Sequence, residues 1–259
     1  MYYNRGKEDE RKGVAMSAKV DILGVKFDET TEKEMLATLY ERLHTGEKTF
    51  IVTANPEIVM YAQDDASYRE LINQADYVVP DGIGVVYASR YQRESLPERV
   101  PGFDLMLGLL EIANRTQKRV YLLGGTEAVI EKTVAYVAQN YPDLIIAGYH
   151  HGYIDPTDPS YREAVKATSP DIVLVAMGFP RQEQWAHQYL AEVEEGIAMG
   201  VGGSFDVLAG ATKRAPDWIQ RLNIEWLYRL MRQPSRWGRM LAIPKFMWKI
   251  IRSNKGRNT

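Results

Sequence analysis

The sequence predicts an α/β protein: a mostly parallel sheet covered by helices on both faces, with a basic helical appendage at its carboxyl end. Three observations carry this reading. Short apolar runs alternate with stretches of helical spacing through short links, the order that parallel strands with helical crossovers require. The run Asp171–Met177 (DIVLVAM) is almost continuously apolar, as a strand buried on both faces must be. From Pro216 the strand pattern ceases and only helical periodicity remains.

A length of 259 residues with 45% apolar content fills one large domain, or one domain and an appendage. The absence of cysteine excludes a disulfide framework, a thiolate zinc site and a cysteine nucleophile, and it fits a reducing compartment. Four histidines leave little for a metal cluster. Residues 1–17 are charged and lack an apolar core, and no uninterrupted apolar run is long enough to span a bilayer, so the expected location is cytoplasmic. The net charge of −2 conceals a strong asymmetry: residues 212–259 hold twelve Lys and Arg against Asp217 and Glu225, a net +10 that leaves −12 for the rest. A boundary is therefore expected near Ala211.

Taken in order, residues 1–18 form a polar extension. Lys19–Phe27 (KVDILGVKF) alternates as a first strand does, and Thr31 with Glu34 makes a capping box ahead of a helix through Met35, Leu36, Leu39 and Leu43. Phe50–Val52 is the next strand. It ends at Thr53-Ala54-Asn55-Pro56 before a helical EIVMYAQ, which leaves a hydroxyl and an amide at a strand end; both are also ordinary helix caps. Ser67 and Glu70 mark another helix start. Tyr77–Val79 is a short buried strand that Pro80 stops, and Asp81-Gly82 turns the chain into an apolar helix through Val85, Val86 and Ala88. A carboxylate is thereby left at a strand's carboxyl end, the edge at which open α/β sheets bind ligands. Pro-Asp-Gly is also plain turn chemistry, with Asp81 capping the next helix. Arg99 and Asp104 in PERVPGFD weigh against that, because a cation and a second acid after a Pro-rich loop suit a phosphorylated substrate.

Phe103–Thr116 follows as a helix and Arg119–Leu123 as a strand, after which Gly124-Gly125-Thr126 turns into a long helix. A strand, a glycine turn and a helix amino end make a ready anion site, although two glycines fall short of a dinucleotide fingerprint. Asp143–Tyr149 reads as a strand and His150-His151-Gly152 as loop or edge. Adjacent side chains on an extended chain point to opposite sides, which argues against one metal held by both histidines. Asp171–Met177 ends in Gly178-Phe179-Pro180-Arg181-Gln182-Glu183, opening a helix with Trp185, and Gly196–Val201 ends in Gly202-Gly203-Ser204-Phe205-Asp206. In a parallel sheet these ends share one rim. Glycines at one side, with Thr53, Asn55, Asp81 and Arg99 at the other, suit a nucleotide-linked donor facing an acceptor.

The tail places apolar residues at helical spacing around Trp218, Trp226, Trp237 and Trp248, with a break at Pro234. Cationic, Trp-rich amphipathic helices are suited to an anionic membrane surface. A basic patch also suits nucleic acid, but the large apolar face and the acidic body favour lipid.

These residues resemble one family. TANPEIVM, VVPDGIGVVYAS, PERVPGFDLM, YLLGG, HHGY, GFPRQEQW, GVGGSFDVLAG and the KRAP…EWLYRL…P.R..R tail, in that order, are similar to the WecG/TagA/CpsF glycosyltransferases of bacterial envelope polymer synthesis, and most to the TagA type. The resemblance implies a Rossmann-like catalytic domain over residues 19–211 and a basic appendage over 212–259 that completes the site at the inner face of the membrane. It implies inverting transfer of N-acetylmannosamine from UDP to N-acetylglucosaminyl-diphospho-undecaprenol, towards the wall teichoic acid linkage unit, with no obligatory metal and no cofactor. By resemblance Asp81 is the base, assisted by Thr53 and Arg99. Asn55, Gly82, Asp104, Gly124, Gly125, Gly178, Gln182, Glu183, Gly202, Gly203 and Asp206 would bind substrate. Arg214, Arg229, Arg232, Arg236 and Arg239 would meet the acceptor diphosphate or the membrane. A homo-oligomer is compatible with the sequence.

Two alternatives stay open. One is a transferase of another sugar, such as UDP-N-acetylmannosaminuronic acid, for a different polysaccharide. The other is a nicotinamide-dependent nucleotide-sugar enzyme, which would need a fuller glycine fingerprint and a ribose-binding acid about twenty residues on; Glu127 and Asp143 are the nearest acids, and neither closes a second strand. A non-catalytic membrane adaptor would leave the polar rim unexplained.

Overall fold

The computed structural model describes residues 18–222, 224–232 and 241–257. Lys19–Phe27, expected as one strand of the sheet, is instead a hairpin of its own: β1 (Lys19–Ile22) pairs antiparallel with β2 (Val25–Asp28). The cause is local. Leu23 and Gly24 both take positive φ, 53° and 80°, as a two-residue hairpin turn demands, and the Asp21 carboxylate accepts from the Gly24 N–H at 2.7 Å.

The main sheet consists of β3 (Thr49–Ala54), β4 (Tyr77–Pro80), β5 (Arg119–Gly124), β6 (Ile145–His150), β7 (Ile172–Ala176) and β8 (Ile197–Gly200). All pairings are parallel, in the order β4-β3-β8-β7-β5-β6. Pro80 belongs to the strand that it was expected to stop, paired opposite Ala54. An edge strand tolerates the missing donor, and the Pro80 carbonyl still accepts from the Val100 N–H at 2.9 Å. The hairpin shields that edge: Asp28 accepts from the Val78 N–H at 2.8 Å and pairs with Lys19 at 3.3 Å.

Alternate residues of each strand serve two cores. Phe50, Val52, Val78, Leu123, Val173 and Val175 face one core, with α2 (Pro56–Asp64), α3 (Ala66–Asn73), α4 (Ile83–Tyr91) and α8 (Arg181–Ala191) packed there. Ile51, Val79, Leu122, Ile172, Leu174 and Met199 face the other, under α1 (Glu32–Thr45), α5 (Gly102–Arg115), α6 (Glu127–Asn140) and α9 (Ser204–Leu208). Each such Val, Leu or Ile contributes about 1.5–3 kcal/mol on burial, so double coverage of the central strands anchors the rim firmly. The expected capping box at Thr31 and Glu34 is present. The cap of α3 is Asp65 rather than Ser67, whose hydroxyl donates to Asp65 at 2.7 Å. A helix absent from the sequence reading, α7 (Pro159–Ala167), links β6 to β7; it is short and mostly polar, with Asp158 capping it at Ser160.

Beyond residue 211 the described residues form helices and no strand, as expected: α10 (Asp217–Arg221), α11 (Glu225–Arg232) and α12 (Ala242–Arg257). The expected break at Pro234, Trp237, Arg236 and Arg239 lie outside the described residues. α12 docks on the body by burying Phe246 and Ile250 among the residues of α2 and α4, and Asn254 donates to the Tyr91 carbonyl at 3.1 Å. Its Trp248 and Ile251, with Trp218 and Leu222 of the α10 segment and Met231 of α11, stay exposed. Among the described residues no helix is long and apolar enough to cross a membrane.

Candidate active site

Because all six strands run the same way, their carboxyl ends form one rim, and a cavity of about 590 Å³ opens over part of it. Thr53, Asn55, Asp81, Gly82, Arg99, Gly178, Gln182, Gly202 and Gly203 line it; Leu222, Trp226, Ile243 and Met247 close the far wall from the tail.

Asp81 sits one residue past β4. It does not cap the helix that follows, whose N-cap is Gly82 with no side-chain cap. Its Oδ1 instead accepts from the Gly102 N–H at 3.1 Å, at the first residue of the 14-residue α5. The amino end of a helix favours negative charge, and the carboxylate sits at that end. Thr53 meets the same point: a Cβ on Gly102 would lie 2.8 Å from its Oγ1. Hydroxyl and carboxylate thus converge on one helix start from neighbouring strands, in register at Thr53 with Val79. Asn55 is a helix cap as well as a cavity residue: its Oδ1 accepts from the Ile58 N–H at 3.0 Å, and no partner for its NH2 is found among the described residues.

On the opposite wall one side chain ties two loops together. Gln182 Oε1 accepts from the Gly178 N–H at 3.1 Å and the Gly202 N–H at 3.0 Å, while its Nε2 donates to Glu183 at 2.7 Å. Gly178 and Gly202 have positive φ and open space where a side chain would stand, so backbone lies bare to the cavity there. Glu183, expected to bind substrate, is instead 1% exposed and absent from the lining. Burial pushes its carboxyl up to about 6.

The Gly124–Gly125 turn, expected on the nucleotide side, is absent from the cavity lining. The Gly125 N–H is spent on the Ala176 carbonyl at 3.0 Å, and its own carbonyl accepts from Gly152 at 2.8 Å, so the HHGY segment sits over the turn. Arg181 fastens that segment through the Ile154 carbonyl at 2.8 Å. His150 and His151 do not splay apart as expected: their rings lie 4.3 Å from each other, because the strand ends at His150 and alternation with it. Asp206 is also absent from the lining, and its carbonyl accepts from Thr212 at 2.9 Å.

The charged residues are shared between body and tail. Arg99 pairs with Glu225 of α11 at 3.0 Å, both largely buried. In mirror image, Arg214 of the tail pairs with Asp104 of the body at 2.6 Å and stacks over Phe103 at 4.7 Å. Glu32 lies in this field; desolvation and then the Asp104 charge raise its pKa. Glu225, one of two acids in a strongly basic segment, is a partner that sequence reasoning missed, although its rarity there was the available signal. Arg229 and Arg232 lie on α11. Among the described residues no group of three or more His, Asp or Glu is placed to hold a metal ion.

A family model described as "Glycosyl transferase WecG/TagA/CpsF family" matches residues 20–259. The chain belongs to the WecG/TagA/CpsF glycosyltransferase family. It is also similar to curated proteins of Staphylococcus aureus named N-acetylglucosaminyldiphosphoundecaprenol N-acetyl-beta-D-mannosaminyltransferase. The strain MW2 protein is 46% identical over 242 residues, 92% of this chain and 94% of the relative, and those of strains NCTC 8325 / PS 47 and COL match to the same extent. The rim cavity sets a carboxylate held at a helix start on one wall against bare glycine backbone on the other.

Proposed function

We propose that this glycosyltransferase moves N-acetylmannosamine from UDP-N-acetylmannosamine to N-acetylglucosaminyl-diphospho-undecaprenol, the linkage-unit step of wall teichoic acid synthesis. The relatives' names support the reaction, and the observation that carries the mechanism is the cavity joining Asp81 and Thr53 to Gly178 and Gly202. The acceptor hydroxyl is a poor nucleophile, so Asp81 takes its proton as the oxygen attacks the anomeric carbon. The new C–O bond forms as the bond to the UDP oxygen breaks, and a single displacement inverts that carbon. Thr53 and Asn55 orient the sugars; the Gly178 and Gly202 loops approach the donor.

UDP leaves with growing charge on its diphosphate, which cations and N–H donors must neutralise. Arg99 and Arg214 border the cavity, with Arg229, Arg232, Arg236 and Arg239 following in the same appendage. Arg99 is held by Glu225 through one guanidinium nitrogen at 3.0 Å, which leaves its other N–H donors for phosphate. Residues 212–259 form the membrane appendage in this reading, with exposed Trp218 and Trp248 settling at the headgroups of the inner leaflet beside Lys245, Lys249 and Arg252. Arg252 already stacks on Trp248 at 5.2 Å.

The test supplies UDP-N-acetylmannosamine and the lipid-diphosphate acceptor on anionic vesicles, and measures UDP release and sedimentation with the vesicles. Release with this donor, lost together with sedimentation when the chain is cut after Ala211, is the expected result. Release only with another UDP-sugar would transfer the reading to a different polysaccharide.

A further inference from the structure

The residue that the mechanism above leaves unused is Glu183, a carboxylic acid sealed in the core. Its Oε1 accepts from Gln182 at 2.7 Å, and the buried Tyr68 hydroxyl interacts with the same carboxyl. Burial, then the Glu183 charge, raises the Tyr68 hydroxyl far above its ordinary range. Such a group is costly: an acid buried this deeply weakens a fold that an apolar side chain of similar volume would serve better. Its benefit must lie elsewhere.

The bonds show where. A carboxamide has one accepting and one donating end, and which end faces the glycine loops decides whether those loops are held or repelled. Gln182 must aim Oε1 at the two N–H groups of Gly178 and Gly202, and that leaves its NH2 pointing into the core, where an acceptor has to wait. Glu183 is that acceptor. The packing on the Gly200 side is close: a Cβ there would fall 2.7 Å from Gln182 Nε2, so only glycine fits beside the amide.

We propose that Glu183 is a positioning residue for the donor site: it fixes the orientation of the Gln182 amide, which in turn clamps the Gly178 and Gly202 loops at the spacing that receives the nucleotide diphosphate of the donor. Glu183 touches no substrate and acts only through Gln182. The inference rests on the UDP-donor reading above.

The experiment uses the full chain and UDP as the probe in calorimetric titration, with thermal unfolding of the same samples. Glu183→Met, which keeps the volume but removes the acceptor, is expected to weaken UDP binding about tenfold, the loss of roughly one buried hydrogen bond's geometry. Its unfolding midpoint stays at or above that of the natural chain. Glu183→Gln, which can still accept through its own oxygen, restores the affinity to within about twofold. In turnover, the Glu183→Met loss falls on the donor KM while kcat stays within about threefold. Gln182→Met alone and the double variant bind UDP equally weakly, since the first residue acts through the second.

Unchanged UDP affinity in Glu183→Met overturns the proposal, as does additivity in the double variant. A fall in stability matched by an equal fall in kcat would make Glu183 a plain structural residue. If Glu183→Met does not fold, Glu183→Gln decides: a tenfold affinity loss there overturns the proposal, and retained affinity supports it. A natural chain that fails to bind UDP overturns the donor reading, and this inference with it.

Discussion

Two strand ends on the rim, those of β5 and β8, look alike in sequence and differ in substance. At β5 the chain reads Gly-Gly after a buried strand, and at β8 it reads Gly-Gly again, each opening a helix. Yet Gly124 is a packing glycine: a Cβ there would lie 2.4 Å from the Ala176 carbonyl oxygen, and the HHGY segment covers the turn. Gly202 has the same positive φ requirement and nothing within 4 Å of the place where a side chain would go. One glycine lets two pieces of protein meet; the other leaves room for something that is not protein. A glycine-rich turn therefore marks close approach without saying what approaches.

The comparison breaks most sharply at the catalytic wall. Asp81→Asn keeps the shape and the bond from Gly102 while removing the proposed base, and turnover is expected to fall about 10²- to 10⁴-fold with UDP affinity intact. Undiminished turnover of a soluble acceptor analogue would remove Asp81 from that role and leave the open end without its chemistry.

The next test sets the two glycines against each other. Gly124→Ala forces a methyl group against backbone and is expected to cost about 3 kcal/mol of stability, read by denaturant unfolding, with UDP affinity little changed in the folded fraction. Gly202→Ala costs about 1 kcal/mol from its left-handed backbone but narrows the cavity, so UDP affinity drops first. The opposite ranking would reverse the roles assigned to the two ends.

A further test concerns the buried acid beneath the open strand end. Glu183 has a folded pKa raised from 4.5 to about 6, so its contribution to stability is fully present below 4.5 and is lost as pH rises through about 6. Glu183→Gln stays neutral throughout. Its stability relative to the natural chain is expected to rise by about 2 kcal/mol between pH 4 and pH 7.5, in unfolding curves taken at both. A difference that is flat with pH would mean that the carboxyl is not held in an apolar site.

Much of the fold was legible because apolar periodicity reports directly on burial. The strands at Phe50, Tyr77, Arg119, Asp171 and Gly196 were all visible, and so was the helical tail. Lys19–Phe27 misled because alternation has the same period whether the strand continues or folds back, and only the Leu23-Gly24 turn decides which. The site was legible to the extent that polar residues stood at strand ends: Thr53, Asn55, Asp81, Gly178 and Gly202 all reach the cavity. Asp104, Gly124, Gly125, Glu183 and Asp206 do not, and the tail residues that wall it, Trp226 and Met247, were invisible as site residues since they look like any amphipathic helix.

By itself the sequence determined what is local: the alternation of strand and helix, the acid after Pro80, the charge break at residue 211, and through its motifs the family. Only the tertiary structure decided partners. That Asp81 answers to Gly102, that Gln182 joins two loops, and that Arg99 and Arg214 exchange charges with Glu225 and Asp104 across more than a hundred residues depend on which surfaces the sheet order brings together. Propensity acts over a few neighbours along the chain, whereas a hydrogen bond or an ion pair is chosen by distance in space.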